Sequence, residues 1–305
     1  MLHIKSLDEG LELFKALGSD MRVEILKLLI ENKQMSMNQL ATRLDITNGA
    51  LTGHIKKLES CGLIAISNES AAHGNQKLCS IKTRKILFDI EQERPDDNTQ
   101  ITELKVGQYS SRSIAPTCGI ATPKSLIGET DDPRYFDHPD RFNADILWFT
   151  KGYVEYTVPN FIPRNQRITG LSISCELSSE APGINSHWPS DISFSINGIP
   201  VGVWTSPGDF GDAKGLLTPD WWPMNWNQYG LLKLLTVTDQ GTFIDGLQIS
   251  GVTIDQLKLA PGTPTLFRMS VLEDARNVGG LTIFGKSFGN YGQDIRFSFS
   301  YAPME

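Results

Sequence analysis

At 305 residues the chain is long enough for two cores, and its charge is unevenly shared: residues 1–94 hold 13 Lys/Arg against 12 Asp/Glu, the rest 15 against 23. Within residues 33–85 the balance is 8 basic to 3 acidic, a weakly basic module tied to an acidic one, which suits a DNA reader whose second part is kept off the phosphates. Cys61, Cys79, Cys118 and Cys175 form no CxxC pair, which excludes a zinc ribbon and a disulfide framework, and no run approaches the roughly 18 apolar residues of a membrane span.

The N-terminus, MLHIKSLDEG, lacks a secretory pattern, so a soluble cytoplasmic protein with reduced thiols and no membrane partner is expected. From Leu7 to Leu17 the apolar positions Leu7, Leu11, Phe14 and Leu17 predict an amphipathic helix closed by Gly18. Ser19 and Asp20 open a second helix with a broad buried face of Val23, Ile25, Leu26, Leu29 and Ile30, against polar Arg22, Glu24 and Lys27. Ser36 caps a short third helix with Leu40 and Leu44 in the core, and Asp45 and Ile46 turn into a fourth.

That fourth helix, TNGALTGHIKKL, is capped by Thr47 and buries Leu51, Ile55 and Leu58 at i, i+4, i+7 spacing. Its other face carries Asn48, Thr52 and Lys56, with Gly49, Gly53 and Lys57 beside them. Glycine inside a helix costs about 1 kcal/mol relative to alanine. Two on one exposed face point either to close approach of the helix to a groove wall or to simple tolerance. Helix, turn and helix with a supporting third helix places the last in a major groove. After Gly62 the pattern changes to alternation around SNESAAHGNQ, a two-stranded wing with His73, Asn75 and Lys77 near its tip.

The run ALGSDMRVEILKLL, then MSMNQLATRLDITNGALTGHIKKLESCGLI and the wing, resembles the ArsR-type winged-helix transcription regulators over residues 11–85. The resemblance implies a homodimer reading a two-fold operator on double-stranded DNA, usually as a repressor released by a ligand. By position it places Asn48, Gly49, Ala50 and Thr52 against base edges and His54, Lys56 and Lys57 at or near phosphates. The third helix holds no Cys and no His/Asp pair follows the wing, a departure from metal-sensing members, so no metal and no cofactor are expected. Residues 83–93, TRKILFDIEQE, extend the wing or form a last helix; in the family that position often joins the first helix in the dimer. The domains are expected at 1–93 and 101–305, with 94–100 as linker.

The second part reads as short alternating strands: ITELKVGQY, ILWF with GYVEYTVP, ITGLSISCEL, DISFSINGIPVGVW, GTFIDGLQIS, TLFRMSVL, GLTIFGKSF and DIRFSFSY, with turns such as Asn197-Gly198. The whole is an α+β multidomain chain, a winged helix-turn-helix followed by an all-β sandwich of jelly-roll type. Residues 204–229, WTSPGDFGDAKGLLTPDWWPMNWNQY, are too long for a simple connection. Trp221, Trp222 and Trp226 offer apolar faces, and Asp209, Asp212, Asp220 and Asn225 offer polar groups, the combination a saccharide site needs; equally, the Trp residues serve as plugs of a large core. The acidic run with Asp131, Asp132, Asp137, His138 and Asp140 lacks DxDxDG spacing and reads as a solvated loop. The stretch from Pro116 through DDPRYF, ILWF and GYVEY to WTSPGDFGD resembles the C-terminal portion attached to some ArsR-type regulators, and in outline galactose-binding-like or carbohydrate-binding modules.

His138 and His187 lack the HxH spacing of a cupin metal site, and GxSxG, HExxH and Walker A are absent, so a non-enzymatic protein is expected. A glycosidase using two carboxylates such as Asp209 and Asp220 is the minor alternative. The leading expectation is a regulator with a small-molecule effector, a carbohydrate or related metabolite. The other is a regulator whose sandwich is a protein-interaction or oligomerisation module.

Overall fold

The computed structural model describes residues 2–4, 7–71, 74–83, 86–88 and 98–304. The chain divides into two compact units, Met1–Arg94 and Pro95–Glu305. In the first, β1 (Leu2–Ile4) precedes α1 (Leu7–Leu17), α2 (Asp20–Asn32), β2 (Gln34–Ser36), α3 (Met37–Leu44) and α4 (Asn48–Ser60). The wing is β3 (Ile64–Ala71) and β4 (Gly74–Ile81), and β5 (Ile86–Phe88) follows.

Ser36 Oγ accepts from Gln39 N while Gln39 Oε1 accepts from Ser36 N, a reciprocal cap that starts α3. Asp45, in the left-handed region with φ 51°, stops it and sets the turn into α4. Arg22 reaches back from α2 to donate to the carbonyls of Lys15 and Ala16, filling acceptors that the end of α1 leaves open. Ile25, Leu29, Leu40, Leu51, Ile55 and Leu58 form the centre of the core.

Three expectations need correction here. Helix α1 buries Gly10, Leu13 and Ala16, whereas Leu7 and Leu11 are 56% and 50% exposed and Phe14 is exposed with them. Ile30 is likewise exposed, because α2 turns Ile25 and Leu29 inward, with Met21, Leu26 and Leu28 packed partly against the core. Residues 86–88 neither extend the wing nor form a helix; they pair in parallel with β1, and Phe88 meets Phe14 edge-on at 4.8 Å.

The second unit begins at β6 (Thr99–Leu104), so the stretch expected as linker already belongs to a strand at Thr99. Then come β7 (Ser111–Ala121), β8 (Ile146–Val158), β9 (Gln166–Ser178), β10 (Ser190–Ile196), β11 (Ile199–Ser206), β12 (Leu231–Thr238), β13 (Gly241–Ile244), β14 (Leu247–Ser250), β15 (Thr265–Val271), β16 (Leu281–Phe284) and β17 (Ile295–Pro303). All pairings are antiparallel. One layer runs β7-β8-β15-β10-β11 and the other β6-β17-β9-β12-β13-β14. Strand β16 pairs with both β8 and β9 and joins the layers at one end, giving a sandwich.

Period-2 alternation fills the space between layers: Val154, Tyr156 and Val158 from β8 and Phe267, Met269 and Val271 from β15 face Leu171, Ile173 and Cys175 from β9. Phe267 stacks beside Phe194 at 6.2 Å and meets Phe297 of the opposite layer edge-on at 5.6 Å. Asn197 and Gly198, with φ of 49° and 77°, make the tight hairpin between β10 and β11. At Gly152, φ 118°, a Cβ would lie 1.9 Å from the Ser113 carbonyl oxygen, so only glycine lets β7 approach β8 there. Strands β7 and β12 escape a reading by alternation. Pro116 sits inside β7, tolerated because β7 is an edge strand with a register shift between Ala115 and Cys118.

Candidate functional site

Helix α4 is positioned by its cap and its stripe. Thr47 Oγ1 accepts from Ala50 N at 3.2 Å, and Leu51, Ile55 and Leu58 are buried. Asn48, Gly49, Ala50, Thr52, Lys56 and Lys57 are exposed. A Cβ on Gly53 would meet nothing within 4 Å, and one on Gly49 only Thr47 Oγ1 at 3.9 Å, so internal packing does not require either glycine. Lys56 and Lys57 have no ion-pair partner among the described residues.

Asn48 is not free to swing: its Nδ2 donates to Asn38 Oδ1 of α3 at 2.9 Å. Thr52 Oγ1 donates to the Asn48 carbonyl at 2.7 Å, leaving the hydroxyl oxygen as acceptor. His54 lies on the flank, half-buried, its Nδ1 enclosed without a hydrogen-bond partner. Its side chain is therefore less available to phosphate than the two lysines. In the wing, Lys77 is exposed on β4 opposite Asn68, Asn75 pairs through its backbone with Ser70, and His73 lies outside the described residues. Asn38 was not singled out from sequence; only the packing of α3 on α4 brings it to Asn48.

The long connection between β11 and β12 is closed on itself by a bridge between Phe210 and Tyr229. Trp222 is a core residue, 2% exposed, its Nε1 donating to Asn227 O at 2.8 Å amid Trp148, Phe284 and Phe288. It cannot stack on a ligand, which corrects its expected role. Trp221 is partly exposed and tied through Nε1 to Pro123 O at 2.7 Å. Asp212 accepts from the Tyr229 hydroxyl, Asp220 is paired with Lys214 in solvent, and Asn225 is exposed.

Asp209 and Trp226 line a cleft of about 210 Å³ with Thr117, Thr130, Asp131, Trp148, Glu180 and Asn227. Asp209 is 1% exposed; its Oδ2 accepts from Ala181 N at 3.2 Å, while Oδ1 has no partner among the described residues. Burial pushes its carboxyl up to about 7 against the pull of two backbone amides. Glu180 Oε2 accepts from Asn227 Nδ2 at 3.0 Å and Thr282 Oγ1 at 3.1 Å. Burial first, then the nearby Asp209 carboxylate, holds Glu180 well above the usual range. Sequence reasoning missed Glu180, Asp131 and Asn227 as partners, because they come from three separated connections.

A shallower groove of about 280 Å³ lies along β7, β8 and β15. Its charges are matched: Arg268 covers the Tyr153 ring at 3.9 Å and bonds Glu155 at 2.9 Å, and Lys151 pairs with Glu273. Among the described residues no three His, Cys, Asp or Glu are placed to hold a metal ion. None of the described helices is long and apolar enough to cross a membrane.

With this geometry in hand, the comparisons are specific for the first unit. Residues 19–65 match the family of winged helix-turn-helix DNA-binding domains, and the N-terminal unit is such a domain. An uncharacterized protein of Methanocaldococcus jannaschii is 42% identical over 50 residues, 16% of this chain and 54% of that protein, so the chain spans about half the length of that curated relative. HlyU from Vibrio cholerae is similar over 25% of this chain and 76% of its own, at 25% identity and a TM-score of 0.21. The C-terminal CBM6 of LamC from Zobellia galactanivorans is similar over 66% of this chain and all of its own, at 10% identity and a TM-score of 0.29.

Proposed function

We propose that the protein is a sequence-specific transcription regulator, a homodimeric repressor without catalytic activity, whose β-sandwich senses a small polar ligand of carbohydrate type. The observation that carries the DNA reading is the open face of α4, where Asn48, Thr52, Lys56 and Lys57 stand exposed around two bare glycine positions. Helix backbone can approach a groove wall there. Phosphates would be met by Lys56, Lys57 and Lys77, and base edges by Asn48 and Thr52, with Gly49 and Ala50 allowing the approach. Thr47 holds the helix start, and His54 lies half-buried on its flank.

Support for the dimer comes from α1, whose Leu7, Leu11 and Phe14 are exposed at 56%, 50% and 38%. Two-fold pairing through it would set the separation of two α4 helices, and ligand binding would act by changing that separation. The test is fluorescence anisotropy with the protein's own promoter and with random DNA over a salt series. A salt-sensitive preference for the promoter is expected, and equal affinity for both would refute the reading.

A second reading makes the sandwich an assembly module. It is favoured by Leu216, Leu217, Trp221 and Met224, which expose an apolar surface on the connection between β11 and β12. Under this reading Trp221→Ala dissociates a tetramer and no saccharide raises the melting temperature.

A further inference from the structure

We propose that the cleft over Asp209 binds a small organic cation, an ammonium group seated among the acidic oxygens with its carbon body against Trp226. The regulatory consequence of such binding rests on the sensing reading above; the site itself does not. Three carboxyl groups, Asp131, Glu180 and Asp209, converge on one cavity whose lining contains no Lys or Arg. Asp209, a lining residue of this cavity, is 1% exposed, and its Oδ1 is enclosed with no hydrogen-bond partner among the described residues. An unpaired buried carboxylate oxygen is costly to maintain.

The same domain shows how a buried carboxylate is otherwise handled. Glu176, 1% exposed, accepts from the amides of Gly230, Asn290 and Tyr291, so both of its oxygens are satisfied internally. Asp209 has been given part of that treatment: Oδ2 accepts from Ala181 N, and Oδ1 has no hydrogen-bond partner among the described residues.

An ammonium group fits the remaining half in number and sign. It brings three donors and a positive charge to acceptors with no cation of their own. Trp226, half-buried, lies on one wall and offers a ring that attracts a cation or covers a hydrocarbon body, with buried Trp148 packed 5.8 Å from it. A neutral polyol offers donors but no charge, whereas an ammonium group favours the ionised form of the two raised carboxyls. A bare metal ion lacks a ligand set, since no suitable trio of side chains is placed for it among the described residues. At about 210 Å³ the cavity suits a molecule the size of a monosaccharide or a short diamine. The raised carboxyls agree: without a ligand, protons take the place of the cation.

The test is calorimetric titration of the full chain at pH 7 with glucosamine and putrescine, beside their uncharged counterparts glucose and 1,4-butanediol. At least one amine is expected to bind tenfold or more tightly than its counterpart, with a similar loss of affinity in Asp209→Asn. Glu180→Gln, which keeps groups able to meet Thr282 and Asn227, serves if Asp209→Asn does not fold. Equal binding of charged and neutral members, binding unchanged in the folded variants, or no binding by either amine overturns the proposal. Amine binding that leaves promoter affinity unaltered upholds the site and sinks the sensing reading. Promoter release by glucose with no amine bound does the reverse.

Discussion

Glu176 and Asp209 are two carboxylates of equal burial that end in opposite hands. The surroundings of Glu176 are closed: backbone amides from two loops converge on it, and they tie β9 to Asn290 and Tyr291 and to Gly230 just before β12. Asp209 is as buried but leaves its Oδ1 without a hydrogen-bond partner among the described residues, and the face of α4 in the other unit is exposed. Where polar groups are satisfied internally they hold the fold. Where they are left over, a partner from outside is wanted.

The sharpest way to break this contrast is Glu176→Ala. It orphans several buried amides at once and is expected to cost about 3–5 kcal/mol by chemical denaturation. A loss near zero would mean that solvent reaches those amides. Next in size is Leu11→Glu, which should convert a dimer to monomers in sedimentation while leaving the helical circular dichroism intact, because Leu11 is not part of the core.

On the open face of α4, Asn48→Ala should relax base preference by about 1–3 kcal/mol at one position, while Lys56→Ala should weaken all sequences alike and reduce the salt slope by about one. Asn38→Ala offers a finer cut. It frees Asn48 without removing it, so a change in preference there would show that the 2.9 Å bond aims the reading group.

The pH response separates the two units. Glu176 and Asp209, lifted to about 8 and about 7, stay protonated in the folded state where the unfolded chain ionises. Their contribution is therefore full below the ordinary carboxylate range and is lost as pH rises through 7 to 8. Thermal melts should show the sandwich weakening from pH 5 to pH 8.5, with Asp209→Asn flattening part of the fall. The smallest effect belongs to Asp220→Ala, since Asp220 meets only Lys214 in solvent; melting and ligand binding should both be unchanged.

Much of the first unit was legible in the chain. Thr47, Leu51, Ile55 and Leu58 announce α4 by a cap and a periodic stripe, and Ser36 announces α3, because these signals act over a few residues. The alternating strands of the second unit were legible for the same reason. The faces of α1 and α2 were not: Leu7, Leu11 and Ile30 are as apolar as Leu13 and Leu29. Which side turns inward depends on what packs against the helix.

The loop between β11 and β12 shows the same division. Its composition gave the aromatic and acidic chemistry, yet the roles of Trp221, Trp222 and Trp226 depend on their distance from Trp148 and Phe288. Sequence by itself determined the elements and the residue types that carry charge and rings, since capping, periodicity and turn propensity are local. Only the tertiary structure decided that Asp131, Glu180 and Asp209 share a cavity and that Glu176 does not. Those positions are brought together by connections between different strands, and the same packing determines which buried oxygen finds an amide and which is left waiting.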